Sequence, residues 1–165
     1  MKKIYLIIII LGFGLLIGCS LGNTPTSRVE DKLSKYQMLD KDISLSYTNL
    51  TSDTEINQDI RNRYEELIKK QYRNLSYEVK EEEIDGENAT VTVQIEVMDY
   101  KAVFDKYNMN DYDKEKYHEL VLDALEDVKD KITYTIDFSL TKNDNDNWQV
   151  NELTKEDREK LLGIN

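Results

Sequence analysis

Five apolar residues at strict two-residue spacing, Ala89, Val91, Val93, Ile95 and Val97, alternate with Thr90, Thr92, Gln94 and Glu96. A helix would scatter these five round its circumference, whereas a strand puts them all on one face. Leu75, Tyr77 and Val79 alternate in the same way before the turn pair Asp85-Gly86. Together they predict a hairpin with one apolar face. A second alternation runs through Ile132, Tyr134, Ile136, Phe138 and Leu140. The polar stretch from Lys142 to Asn147 reads as a turn, and Trp148 with Val150 begins the return strand.

Elsewhere the period is helical. Val29, Leu33 and Tyr36 share a face, with Ser27 and Glu30 as a capping pair, so a helix is expected from Val29 to about Asp40. Ser52 and Glu55 form a second capping pattern, and Ile56, Ile60, Tyr64, Leu67, Ile68 and Gln71 trace one stripe, ending near Arg73. A short helix is expected within Asp99 to Tyr107, and a longer one from Lys114 to Lys129 along Tyr117, Leu120, Val121, Ala124, Leu125 and Val128. Thr154 with Asp157 caps a last short helix, stopped by Gly163. Helices segregated from antiparallel hairpins indicate an α+β fold: a curved antiparallel sheet of about four strands backed by amphipathic helices.

The first residues are of a different kind. Met1-Lys2-Lys3 is positively charged, and Ile4 to Gly18 is an uncharged, mostly apolar run of fifteen residues. A bilayer span needs about 20 apolar residues, so this run fits the apolar region of a secretory signal peptide better. It ends in Leu16-Ile17-Gly18-Cys19, which resembles the lipobox of bacterial lipoproteins. In that motif the leader is cut before the cysteine, whose thiol carries a diacylglycerol. The chain therefore divides into a leader (1–18), the lipidated Cys19 with a flexible tether (19–28), and a folded domain (29–165). The expected location is the extracytoplasmic face of a cell membrane, held through lipidated Cys19. Sparse Ala with abundant Asn, Ile, Lys and Tyr points to a low-GC Gram-positive bacterium.

Charge narrows the partners. The chain has 165 residues, with 22 Lys and Arg against 33 Asp and Glu, a formal net charge of −11. Loss of the leader with Lys2 and Lys3 leaves 147 residues and a charge of −13. Nucleic acid is not an expected partner, because phosphate binding needs clustered cations. Anionic headgroups repel such a body, so it is expected to be tethered to the membrane without lying flat on it. With one Cys and one His, there is no internal disulfide and no multi-histidine metal site.

Several pieces in order resemble small Gram-positive lipoproteins with an NTF2-like (cystatin-like) cone domain. They are Leu75-Ser76-Tyr77-Glu78-Val79, the run Ile84 to Val91, Val97-Met98-Asp99-Tyr100, Tyr112-Asp113 with Lys116-Tyr117, Tyr134-Thr135-Ile136, Trp148-Gln149-Val150 and Leu162-Gly163-Ile164. The resemblance covers nearly all of the chain after the leader. It implies a fold and an envelope location, and it carries over no catalytic residue.

The remaining chemistry is thin. Asn143-Asp144-Asn145-Asp146-Asn147 alternates oxygen ligands, but Trp148 and Thr154 stand where a calcium loop needs Gly and Glu. It reads as a polar hairpin turn. Glu81, Glu82 and Glu83 cannot converge along a strand and read as a solvated tip. His118 is expected on the exposed face of its helix. Asp99, Tyr100 and Asp137 are acid–base candidates by residue type alone, with Asp137 expected to face solvent. Tyr77, Tyr134, Phe138 and Trp148 are expected to fill the cone or line its pocket. No cofactor or metal is implied. The expected function is a non-enzymatic binding or interaction module for an envelope protein or small ligand. The alternative is a small isomerase- or dehydratase-type enzyme, or a ligand-binding protein, with a pocket in the cone.

Overall fold

The alternating run becomes β2 (Asn88–Met98), and Ala89, Val91, Val93, Ile95 and Val97 are all buried. In the computed structural model, residues 22–165 are described. The expected leader (1–18), with Leu16, Ile17 and Gly18, and the expected lipidation site Cys19 lie outside the described residues.

β2 pairs antiparallel with β1 (Ser76–Asp85) and β3 (Lys131–Lys142), and β3 pairs with β4 (Trp148–Val150). The result is one open antiparallel sheet in the order β1-β2-β3-β4. Its inner rows are cross-strand pairs such as Val79–Val93–Ile136 and Tyr77–Ile95–Tyr134. A bulge between Val79 and Glu81 shifts the parity of β1, so that Glu82 and Ile84 then pair with Val91 and Ala89. The sequence carries the mark of that bulge: apolar positions are odd up to Val79 and even at Ile84. On the outer face Thr92 donates to Asp137 at 2.7 Å, and Asp137 is exposed as expected.

Among the described residues five α-helices complete an α+β fold: α1 (Pro25–Met38), α2 (Gln58–Arg73), α3 (Lys101–Lys106), α4 (Lys114–Glu126) and α5 (Lys155–Leu162). α1, α2 and α5 contact the sheet, while α4 packs on α2 and α3. Val29, Leu33, Tyr64, Ile68 and Leu161 are buried beneath them, each large apolar side chain contributing about 1.5–3 kcal/mol.

Two helix starts differ from expectation. α1 begins at Pro25, so the tether expected through residue 28 is shorter by a full turn. Pro suits the first helical position because its missing N–H would have no partner there. Thr24 and Ser27 form the capping box, and Ser27 also donates to the Gly22 carbonyl. Asn23 is held as well: its amide donates to the Asp146 carbonyl at 2.9 Å and its Oδ1 accepts from Trp148 N at 3.1 Å. α2 begins at Gln58, capped by Asn57, and the expected cap at Ser52 and Glu55 does not form. Asp53 turns the chain by accepting from Glu55 N at 2.8 Å, and Tyr47 donates to the Thr54 carbonyl at 3.1 Å. These bonds keep residues 51–57 out of helix until Asn57 caps α2.

The far end of the sheet is closed by one polar side chain. Gln71 of α2 is fully buried; its Oε1 accepts from Met98 N at 2.9 Å, and its Nε2 donates to Met98 O at 2.9 Å and Leu162 O at 2.7 Å. Gly163 ends α5 at φ +70°, and a Cβ there would lie 2.0 Å from Met98 O and 2.6 Å from Gln71 Nε2. Gly86, in the β1–β2 turn, has φ +61° with open space around a Cβ. The two glycines thus share a backbone conformation and differ in surroundings. Gly86→Ala is expected to cost about 1–2 kcal/mol, the left-handed penalty alone. Gly163→Ala adds overpacking worth about 1–3 kcal/mol more. Urea unfolding of both variants checks this, and equal losses would contradict the close approach.

Candidate functional site

The four aromatic candidates do not meet in one cavity. Phe138 is fully buried and Trp148 nearly so, while Tyr77 and Tyr134 are half-buried. Tyr134 donates to the Asn165 carbonyl at 2.7 Å. Trp148 borders a groove beside Arg28 and Ile43, with Lys142 Nζ 5.3 Å from its ring centre. Tyr77 borders a different, shallow groove with Ile95 and Thr133. Asp99 and Tyr100 also part company: Asp99 Oδ1 accepts from Ala102 N at 3.1 Å, and the buried Tyr100 hydroxyl points to Leu67 O at 3.4 Å. Among the described residues no group of three or more His, Cys, Asp and Glu converges where a metal ion could sit.

His118 is the main correction. It is 0% exposed, on the inward side of α4. The reason lies in the stripe: His118, Leu122 and Leu125 fall at i, i+4 and i+7 and are buried together. The expected stripe of Tyr117, Leu120, Val121, Ala124, Leu125 and Val128 omits Leu122, whose burial with Leu125 brings His118 to the inward side. Burial obliges the imidazole to find partners. Nδ1 lies 2.9 Å from the Tyr64 hydroxyl, and Nε2 lies 3.4 Å from Asp53 Oδ2. With Nε2–H directed at the carboxylate, Nδ1 carries the lone pair and accepts from Tyr64. Lys114 Nζ reaches Asp53 Oδ1 at 2.8 Å.

This chain ties α2, α4 and the 51–57 segment together. The Lys114 ammonium, with further hydrogen bonds from Glu55 N and His118, holds the Asp53 carboxyl below the usual carboxylate range despite some opposing desolvation. Burial pushes the Tyr64 phenol up, which keeps it a neutral donor. A small pocket of about 180 Å³ lies over His118, walled by Ile56, Ile60, Lys114 and Glu115. The relay runs away from it: Tyr64 is 0% exposed, so a proton passed inward meets only core.

The same rotation of α4 opens the larger feature. Leu120, Ala124 and Val128 are half-buried, facing α3. α3 is six residues long, too short to cover them, and presents Ala102 and Val103, with Tyr107 at its C-terminal cap. Between the two helices lies an open groove of about 650 Å³. Asp99, Asp123, Asp127 and Asp130 stand round it against Lys106 and Lys129. Arg63 holds Asp123 and Glu126 at 2.8 Å each, fixing α4 against α2. Asp127 and Asp130 make no ion pair among the described residues. The signal for this groove was in the sequence, as an α4 stripe too wide for one packing partner.

The Asp53 contacts carry a pH signature. A carboxyl whose folded pKa is lowered stabilises the fold above its unfolded pKa, and that contribution is lost as pH falls through the folded value. Asp53→Asn is therefore expected to cost about 1–2 kcal/mol at pH 7. The gap to the parent protein should close below about pH 4. Chemical unfolding of both proteins across pH 2.5–7 reads this directly; a gap that widens on acidification would count against the assignment.

No protein-family model, curated protein or solved structure matches this chain.

Proposed function

We propose that the chain is a lipid-anchored bacterial lipoprotein on the extracytoplasmic face of the cell membrane, and that its domain is an NTF2-like, non-enzymatic binding module. The address rests on the charged start, the apolar run and Leu16-Ile17-Gly18-Cys19. The NTF2-like reading is supported by the helix pair followed by hairpins, with helices on one face of an antiparallel sheet.

One observation carries the binding role: the open groove lies at the end of the sheet opposite the chain's entry. Gly22 is three residues after Cys19, which limits their separation to about 11 Å. Asn23 is pinned to the β3–β4 turn, and Thr26 donates to Glu82 through its amide at 2.9 Å and its hydroxyl at 2.6 Å. That end carries the Asn88–Thr141 pair of the sheet. Asp99 and Asp130, at the groove, flank the Met98–Lys131 pair at the other end, where Asp99 N donates to Asp130 O at 3.0 Å. Ten residue steps along β2 separate the two ends, about 30 Å at strand spacing. A lipid at Cys19 would thus hold the acidic turns near the headgroups and turn the groove away from the membrane.

The enzyme alternative would draw on Tyr64, His118 and Asp53. Their relay ends in the core, so the groove supports the binding reading better. Cys19→Ala tests the anchor. The parent protein is expected to incorporate labelled fatty acid and to lose residues 1–18, and the variant should do neither. A Cys19→Ala protein that is labelled and shortened like the parent would contradict lipidation at Cys19.

A further inference from the structure

Resting on the binding-module reading, we infer that the α3–α4 groove receives a short basic amphipathic helix of a protein partner. The apolar floor sets the shape. Leu120 and Ala124 lie one turn apart on α4 with Val128 just past its end, and Val103 lies on α3 with Tyr107 at its C-terminal cap. Two helices whose apolar residues flank an open trough offer the seat used in helix-in-groove recognition. From Leu120 to the end of α4 at Glu126 the helical part of the floor is about 9 Å long, so about two turns of a partner helix span it.

Charge chooses among occupants. Arg63 already pairs Asp123, which leaves Asp99, Asp127 and Asp130 on the rim against Lys106 and Lys129, and Asp127 and Asp130 make no ion pair among the described residues. The surrounding chain is acidic as well, at −11 over its full length. A second copy would bring the same rim and be repelled. Anionic lipid and nucleic acid are disfavoured for the same reason. A helix with Lys or Arg flanking its apolar stripe satisfies both floor and rim, and long-range attraction speeds its capture.

The test uses the full-length lipidated protein in zwitterionic nanodiscs, with empty nanodiscs as blank. The probes are two fluorescent 14-residue amphipathic peptides of identical Leu face, one with Lys and one with Glu on the polar face, each carrying a photocrosslinker. The Lys peptide is expected to bind above the blank and crosslink to α3 and α4. The paired variant Asp127→Lys, Asp130→Lys should weaken it at least about 10-fold, since two contacts reverse sign. Asp85→Lys, Asp144→Lys, the same charge change at the opposite end, should alter it less than about two-fold. Equal binding of the Glu peptide, equal loss in both paired variants, or crosslinks on the open sheet face would overturn the groove assignment. Absence of binding by either peptide would overturn it too. None of these results bears on lipidation at Cys19, so the anchored reading stands or falls by Cys19→Ala alone.

Discussion

The three hydrogen bonds of Gln71 hold the groove end of this fold together. They join α2 to the last residue of β2 and to the end of α5. A buried amide is tolerable only when its donors and acceptor are used, because each orphaned group costs about 1–3 kcal/mol. Here three main-chain groups of two other elements depend on the same side chain. Gly163 must lack a side chain for Gln71 to reach Leu162 and Met98. Its carbonyl then accepts from Lys101 N at 2.7 Å, which sets the first residue of α3. The groove therefore inherits its geometry from a glutamine in the core that never touches it.

A second polar set does similar work on the other side of α4. Tyr64, His118 and Asp53 fix its rotation from within, and Arg63 fixes it from outside through Asp123 and Glu126. The internal set favours one rotation because any other leaves an imidazole nitrogen buried without a partner. With α4 so turned, its surplus apolar side chains face the short α3. The groove follows from the mismatch in length between a helix of thirteen residues and one of six.

What could be read from sequence follows the kind of force involved. Local rules were sufficient for both long hairpins, the Gly86 turn and the Thr154–Asp157 cap with its Gly163 stop, where the neighbours are all in one stretch of chain. Long-range bonds decided the rest. Nothing near residue 25 announces that Asn23 will be held by the β3–β4 turn, or that Glu82 will accept from Thr26. Asp53 took the Ser52 region out of helix because Lys114 and His118, some sixty residues on, draw it across. His118 was legible, since Leu122 and Leu125 mark its stripe, and missing Leu122 concealed both the buried relay and the groove. Tyr77, Tyr134, Phe138 and Trp148 were placed on the right strands, but their sharing of a cavity depends on how the helices settle, which strand periodicity does not encode.

The proposed function depends on polarity: a lipid anchor at one end of the sheet and the groove at the other. Energy transfer to headgroup-labelled acceptor lipids measures it most directly, with the lipidated protein carrying a single donor dye at Asn145→Cys or at Lys129→Cys. Cys19 is the sole native cysteine and its thiol is taken up by the lipid in this account. Strong transfer from position 145 and weak transfer from position 129 is the predicted result. Equal transfer, or the reverse order, would contradict the orientation and with it the presentation of the groove to a partner.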